Sequence, residues 1–429
     1  MLRHWPRRLD LNPHRHLPRA VGGQRGAQRI VGRGVSRGAA RCPRATLAHA
    51  LAALVTLLAC WGSAATAAAD DFSRWEVRPE LEFQLPATPS VNHRGPVLFD
   101  NLADGRLVMI STLLPDPLGF TGIAEMYVET AVRSRTWDLL GTLPLPGGDS
   151  WSSFGGAFLR VSPDGSRIAV GDNSFVTPRV GVFSTADLLA VGPATMAVDW
   201  YPVPHSSAAW YDNQYLAINR GDFSASNVAL LDTNSPVATP GVTTVVNNIG
   251  GASGAVAFDA DGNLYTANGF DTQPGGSQTG TIKKFALADW QNAANTLIPL
   301  NFEATGQTIA TILSASSLEF DTEGNLFIGG SDFFGGGQSD FLALLQNPEL
   351  GGGLRIFDPD TSAESSYNLV YNEVTRELYA NQSFPLVDPI DPTIVYVLTV
   401  PEPASWTLVL SGLVAVAVYR RRRRGSCEE

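Results

Sequence analysis

One stretch of the chain decides its fold: residues 256–271 have the sequence VAFDADGNLYTANGFD. Two apolar runs flank a polar turn that is centred on Asp261 and Gly262. Gly and Asn accept the positive φ angles that tight hairpin turns demand. The stretch therefore predicts a β-hairpin.

The same pattern recurs in degenerate form along the chain. The six hairpins begin at Phe99, Leu159, Ala208, Val256, Leu318 and Leu369, with starts 60, 49, 48, 62 and 51 residues apart. Further apolar strands follow most of them, beginning at Val180, Asn227, Thr281, Gly353 and Ile394. This spacing is the scale of a four-stranded propeller blade with variable loops.

An all-β propeller is the fold class that we predict for residues 70–400, with six blades favoured and seven as the alternative. The segment WEVRPELEFQL, which begins at Trp75, supplies an outer strand that completes the last blade. Such closure removes the exposed edges of an open sheet. The hairpin at residues 255–268 resembles that of NHL and gluconolactonase-type six-bladed propellers.

Composition agrees with a large, turn-rich β protein. The chain has 429 residues, 44% hydrophobic and 17% charged, with 42 Gly and 28 Pro. Of its 30 basic residues, eleven lie in 1–69 and five in 401–429, whereas only four of its 41 acidic residues lie there. Residues 70–400 therefore carry 14 basic and 37 acidic residues, a net charge of −23. Nucleic acid is excluded as a partner, because binding phosphates requires clustered Lys or Arg.

The N-terminal part is predicted to be a targeting segment. Residues 1–40 are rich in Arg and Gly, and we interpret them as a disordered extension or as a start codon assigned too far upstream. Residues 41–69 have the order of a secretory signal peptide: Arg41 and Arg44, the apolar run 47–59, and small residues before Asp70. Cys60 leaves a lipoprotein signal open as the alternative. The three cysteines, Cys42, Cys60 and Cys427, all lie outside 70–400, so no disulfide is expected there.

The C-terminal part contains three elements in order. Pro401-Glu402-Pro403 precedes a largely apolar run, 404–419, which is followed by a basic cluster made of Arg420, Arg421, Arg422, Arg423 and Arg424 and by the tail 425–429. Residues 401–424 thereby resemble the PEP-CTERM sorting signal of Gram-negative bacteria. The resemblance implies a transmembrane helix, an inner-membrane precursor with the body outside, and an exosortase that cuts near the motif. An ordinary membrane anchor would explain the helix and arginines, but not the Pro-Glu-Pro motif.

Two sets of polar residues are candidates for a ligand site. His93 and His205, the two histidines of 70–400, stand just before the first strand of their hairpins, where the innermost strands converge. A second set follows the second strand of the hairpins: Asp172, Asn173, Asp222, Asn268, Asp332 and Asn381. Both sets are expected on one face of the propeller, where loops converge around the channel. Packing of small residues and Asx turns at strand ends are the structural alternatives.

No metal site follows from these residues. Two histidines without a third ligand do not predict a zinc site. Calcium would suit clustered carboxylate and amide oxygens, but the stretch 259–262, Asp-Ala-Asp-Gly, is half of a calcium loop and is interpreted as a hairpin turn. No cofactor is therefore predicted, with calcium left open.

Two functions follow from this reading. The sequence has none of the nucleophile, zinc-protease, phosphate-loop or dinucleotide motifs that identify common enzymes, so no catalytic residue is predicted. We therefore expect an exported, non-enzymatic propeller at the cell surface or in an exopolysaccharide-rich matrix, where it serves as a binding or structural platform. Its partners would be the export machinery, the exosortase and exopolysaccharide. The alternative, implied by the gluconolactonase resemblance, is a calcium-dependent lactonase-like hydrolase.

Overall fold

The computed structural model covers the part of the chain predicted to be a propeller. It describes residues 75–84, 93–114, 122–151, 156–172, 177–220, 226–250, 254–268, 279–313, 315–330, 341–357, 367–382 and 394–399. The predicted signal peptide, the apolar run 404–419 and the arginine cluster lie outside the described residues. Among the residues described, no helix has the length and apolar character needed to cross a bilayer.

The described strands form six sheets, each built around one hairpin. All strand pairs are antiparallel except that of β14 and β18 in blade 3, which is parallel. Two short strands come first: β1 (Glu76–Val77) and β2 (Phe83–Gln84). Blade 1 contains β3 (His93–Asn101), β4 (Leu107–Leu114), β5 (Ile123–Glu129) and β6 (Trp137–Leu143). Blade 2 contains β7 (Gly156–Val161), β8 (Arg167–Asp172), β9 (Arg179–Ser184) and β10 (Asp199–Tyr201). Blade 3 contains β11 (Ser207–Trp210), β12 (Tyr215–Asn219), β13 (Ser226–Asp232), β14 (Gly241–Ile249) and β18 (Leu300–Asn301). Blade 4 contains β15 (Val256–Phe258), β16 (Leu264–Ala267), β17 (Thr279–Phe285) and β19 (Gln307–Leu313). Blade 5 contains β20 (Ala315–Phe320), β21 (Leu326–Gly330), β22 (Phe341–Leu345) and β23 (Leu354–Phe357). Blade 6 contains β24 (Tyr367–Asn372), β25 (Glu377–Gln382) and β26 (Ile394–Thr399).

The first strands of successive blades contact one another around the ring, and β24 of blade 6 returns to β3 of blade 1. The fold is therefore a six-bladed propeller, as the hairpin repeat predicted. The turn between the first and second strand of each blade lies at one end, and neighbouring turns are bonded: the Asp164 amide donates to Asn213 Oδ1 at 3.0 Å. We call this end the turn face. The other end, where the first strands begin, is the opposite face.

Side-chain amide and carboxyl groups shape the turns. In blade 4, Asp259 Oδ1 accepts hydrogen bonds from the amides of Asp261 and Asn263, and Gly262 has φ +79°. Asp321 makes the same bonds in blade 5, where Gly324 has φ +82°. These are Asx turns that end in a left-handed residue, for which glycine is the unstrained choice. The Asp259–Gly262 stretch is thus a hairpin turn, as interpreted from the sequence.

The blades stack through apolar side chains on both faces of each sheet. Along β8, Ile168 and Val170 pack towards blade 1, whereas Ala169 packs towards blade 3. A strand that is buried on both faces needs a continuous apolar run rather than an alternating one. This requirement explains why the hairpin strands are apolar throughout.

The N-terminal strands close the ring, as predicted from the segment that begins at Trp75. β1 pairs with β26 on the side away from β25, with Glu76 opposite Thr399, and β2 pairs with the other end of β26. Trp75 packs edge-on against Phe327 of blade 5, with ring centroids 4.8 Å apart. Its carbonyl accepts a bond from Arg355 Nη1 at 3.0 Å.

Three short α-helices of the described residues lie between outer strands. They are α1 (Thr185–Val191), α2 (Leu287–Thr296) and α3 (Phe302–Thr305). α1 begins where Ser184 Oγ accepts a bond from the Asp187 amide, and α2 buries Trp290. The hairpin pattern does not predict these helices, because they lie in the connections between outer strands.

Candidate functional site

One arginine side chain crosses the axis of the propeller. Arg160 lies on β7, and its Nε donates to the carbonyl of Ala208 in blade 3 at 3.0 Å. Its Nη1 donates to the carbonyl of Leu369 in blade 6 at 3.4 Å. Its Nη2 lies 4.0 Å from Oε2 of Glu319 in blade 5. A single guanidinium therefore joins blade 2 to three other blades.

Asp100, on β3 of blade 1, is held against blade 2 by backbone amides. Its Oδ2 accepts a bond from the Val161 amide at 2.6 Å, and its Oδ1 accepts one from the Asn101 amide at 2.8 Å. Burial raises the pKa of the Asp100 carboxyl, while Arg160 and these two amides lower it. This carboxyl thus helps to join blades 1 and 2.

Glu319, on β20, is the second carboxyl beside Arg160. Burial raises its pKa to about 7; the Arg160 guanidinium opposes this rise, and the Asp100 carboxylate adds to it. The side chain keeps 27% of its surface exposed. Glu319 can therefore exchange protons near neutral pH, which is the property that a general acid or base requires.

These three residues lie at the floor of a cavity of about 470 Å³ that opens between the turns. Aromatic side chains from four blades line its walls: Trp210, Phe258, Phe320 and Tyr371. Glu373 lies at its rim, in the turn of blade 6. The cavity is thus on the turn face, and its floor carries one positive and two acidic groups.

The sequence contains a signal for this cluster in the spacing of its charged residues. Asp100, Arg160 and Glu319 each stand five residues before the glycine of their turn, Gly105, Gly165 and Gly324. Each is a charged side chain that directly follows an apolar residue of its first strand, Phe99, Leu159 or Leu318. A charge at the same position in three repeats indicates one shared, axial location.

The predicted histidines lie on the opposite face. His205 is buried; its Nδ1 is 2.9 Å from the Val203 carbonyl, and its ring packs edge-on against Phe158 at 5.3 Å. A Cβ at Gly171 would lie 2.6 Å from this ring, so the glycine makes room for it. Burial lowers the pKa of His205 to about 4, which keeps the ring neutral at pH 7. His93 begins β3, where it pairs with Leu114.

The second predicted set is described in part. Asp172 ends β8 and is buried; Asn268 Oδ1 accepts a bond from the Thr281 amide, within blade 4. Asn381 Nδ2 donates to the Val97 carbonyl at 2.7 Å and so links blade 6 to blade 1. Asn173, Asp222 and Asp332 lie outside the described residues. Within the described part of the chain, no group of three or more His, Cys, Asp or Glu residues is arranged to hold a metal ion.

Comparison with known proteins identifies the C-terminal segment and the fold. Residues 399–424 match the family described as the PEP-CTERM protein-sorting motif. No curated protein matches the chain. An α-L-arabinanase from Penicillium chrysogenum has a similar structure, with a TM-score of 0.51 and 14% identity over 75% of this chain and 98% of that one.

Two further structures have lower scores. A protein of unknown function from Dyadobacter fermentans has a TM-score of 0.48 at 9% identity, over 76% of this chain and 99% of that one. A gluconolactonase from Xanthomonas campestris has 0.42 at 13%, over 76% and 90%. At 14% identity, the likeness to the arabinanase shows the fold alone. The predicted sorting motif and six-bladed propeller are thus both confirmed.

Proposed function

We propose that the protein is an exported, non-enzymatic propeller, displayed at the cell surface or in the extracellular matrix as a binding or structural platform. The observation that carries the proposal is the PEP-CTERM motif at 399–424, which starts at the last residue of β26, Thr399. The motif implies processing by an exosortase and a precursor anchored in the membrane.

The charge order of the motif supports this topology. A helix made of residues 404–419 would span about 24 Å, a little less than a hydrocarbon core of about 30 Å, and snorkelling arginines would make up the difference. The cluster Arg420–Arg424 would lie in the cytoplasm, because positive charge stays inside. The propeller then lies on the outer side of the inner membrane, and exopolysaccharide there is the partner that we propose for it.

The axial contacts support a platform. Arg160 donates to backbone carbonyls of blades 3 and 6, and Asp100 accepts a bond from the Val161 amide of blade 2. Such charge-assisted bonds are stronger than neutral ones and hold the blades in one arrangement. A rigid body of this kind is suited to present its loops to a partner.

One observation favours a hydrolase as the second candidate. Glu319, with a pKa of about 7, and Asp100 share the floor of one cavity, and paired carboxyl groups can divide acid and base roles. The calcium-dependent form of this candidate does not fit the cavity, because calcium takes 6–8 oxygen ligands and the Arg160 guanidinium lies among the carboxylates. Lactone hydrolysis by the wild-type protein that is lost in Glu319→Gln would favour the hydrolase over the platform. Binding heat in a calorimetric titration with calcium would support the calcium-dependent form of the hydrolase.

The sorting experiment uses the variant Pro401→Ala/Pro403→Ala in the native host. We expect the precursor to stay full-length in the inner membrane, because the apolar run and the arginines remain. The wild-type chain should instead be shortened near Pro401–Pro403, as shown by its intact mass. A wild-type chain that extends unprocessed to Glu429, in a host with the sorting protease, would contradict the proposal.

A further inference from the structure

Both ends of the propeller leave from the turn face. β26 runs towards Thr399, which lies opposite Glu377, the first residue of β25 after the turn of blade 6. On the other side of β26, Thr399 lies opposite Glu76, the first residue of β1. The chain therefore enters and leaves the propeller at the end where the axial cavity opens.

The connection from this face to the apolar run is short. Four residues, Val400 to Pro403, separate Thr399 from Ala404. Four extended residues reach at most about 14 Å. A compact domain of this size has a diameter of roughly 50 Å. The reach is thus a small fraction of the width of the propeller.

From this geometry we propose that the turn face, with the axial cavity, is held facing the bilayer, within the reach of residues 400–403, while residues 404–424 anchor the chain, and that the sorting cut frees this face. The inference rests on the proposed function and adds a change in accessibility to it. In the precursor, loops of the opposite face are available to partners. In the released protein, the cavity above Arg160, Asp100 and Glu319 becomes available as well.

The charge of the turn face limits how closely it approaches the bilayer surface. Every turn contains an acidic side chain: Asp104, Asp164, Asp212, Asp261, Glu323 and Glu373. These carboxylates repel anionic headgroups, but a gap of about 14 Å exceeds the Debye length of about 8 Å at physiological salt. Repulsion is therefore screened at the full reach of the connection and grows only on closer approach. The covalent connection holds the face near the membrane, and the acidic side chains of the turns do not retain the released protein there.

Cysteine labelling tests the proposal on the full chain. Residues 70–400 contain no cysteine, so single cysteines can be placed in a chain whose Cys42, Cys60 and Cys427 are replaced by Ser. Ala260→Cys marks the turn face and Ser150→Cys the opposite face; both side chains are exposed. Spheroplasts of a host without the sorting protease are treated with a bulky, membrane-impermeant polyethylene-glycol maleimide. We expect Ala260→Cys to react about tenfold more slowly than Ser150→Cys, since reaction requires the tethered body to tilt away from the bilayer.

Two matched measurements separate membrane shielding from intrinsic reactivity. Detergent solubilisation should bring the two rates together. A Gly/Ser insert of about 20 residues after Thr399, which spans roughly 25 Å, should also make the two labelling rates equal, without detergent. Equal rates in the anchored chain without the insert would overturn the inference and leave the sorting proposal intact. A full-length chain that does not fractionate with membranes would overturn the sorting proposal itself, and the inference with it.

Discussion

Arg160 of blade 2 donates a hydrogen bond across the propeller axis to the backbone carbonyl of Leu369 in blade 6. The two residues are 209 positions apart in the chain. With the bond to Ala208 and the proximity of Glu319, this contact makes one side chain a common element of four blades. The centre of the ring is thus joined by polar bonds, whereas the spaces between the blades are filled by apolar side chains.

Replacing Arg160 by Met should destabilise the protein strongly. The substitution removes two hydrogen bonds and leaves Asp100 and Glu319 without their positive neighbour, for which we expect a loss of about 3–5 kcal/mol. Urea unfolding at pH 7 measures this loss. Arg106→Met is the control, since its partly exposed pair with Asp104 should contribute less than about 1 kcal/mol. Similar losses in the two variants would contradict the role of Arg160.

Glu319 should make stability fall as the pH rises. Its pKa is about 7 in the folded protein against an ordinary value of 4.5 for a glutamate side chain, so the folded state holds the proton more tightly. The stabilisation is complete below pH 4.5 and is lost between pH 4.5 and 7, by up to about 3 kcal/mol. Glu319→Gln should remove this slope from the unfolding free energy. Glu323→Gln, an exposed change in the same hairpin, should keep it.

His205 should contribute a slope of the opposite sign. Its pKa is about 4 in the folded protein against 6.5 for the free side chain, so unfolding takes up a proton between these values. Stability is complete above pH 6.5 and falls as the pH drops to 4, by roughly 3 kcal/mol. Proton NMR of the histidine resonances measures the pKa directly. Titration of His205 near pH 6.5 would show that its ring is not buried as described.

Gly254 should not tolerate a side chain. A Cβ there would lie 1.8 Å from the carbonyl oxygen of Ala267, at the start of the first strand of blade 4. Gly254→Ala should therefore cost at least about 2 kcal/mol through backbone displacement. Gly250→Ala, four residues earlier, meets no atom within 4 Å and serves as the control. Thermal unfolding of the two variants distinguishes steric contact from a general effect of alanine.

The contact between blades 1 and 6 should depend on Glu377. This buried carboxylate lies 3.0 Å from Arg133 Nη2 and 3.6 Å from Arg135 Nη2, both in blade 1, and accepts a bond from Tyr379. Glu377→Ala should cost about 2 kcal/mol, because it removes the buried carboxylate that joins both arginines to blade 6, although Arg135 keeps its contact with Glu129. Glu80→Ala, which removes an exposed pair with Arg78, should change the unfolding free energy little.

The sequence was most informative where local chemistry decides the structure. Turns such as that of Gly262 depend on residues within a few positions, so each hairpin could be recognised separately. Blade number followed from the repeat, and closure by the segment after Trp75 followed from the need to cover an edge. Both are properties of the pattern and need no knowledge of side-chain positions.

The axial cluster depends on long-range geometry. Which side chains of a first strand reach the axis depends on the pairing register and on how the blades are inclined, and neither is local. His205 drew attention because histidine is rare in the body, but rarity does not show whether a ring faces a channel or a neighbouring blade. Arg160 is one of many arginines, and its role follows only from carbonyls that lie 48 and 209 residues away.

The placement of β26 has a mechanical consequence. This strand lies between β25 on one side and β1 and β2 on the other, and it ends at Thr399, where the anchor would begin. A pull on the anchor acts along the strand and loads the backbone hydrogen bonds on both its sides together, in shear. A strand at the edge of a sheet would load the hydrogen bonds on one side only. The protein should therefore withstand tension between a fixed membrane and a moving matrix, and the strand that bears the load is the one that also closes the ring.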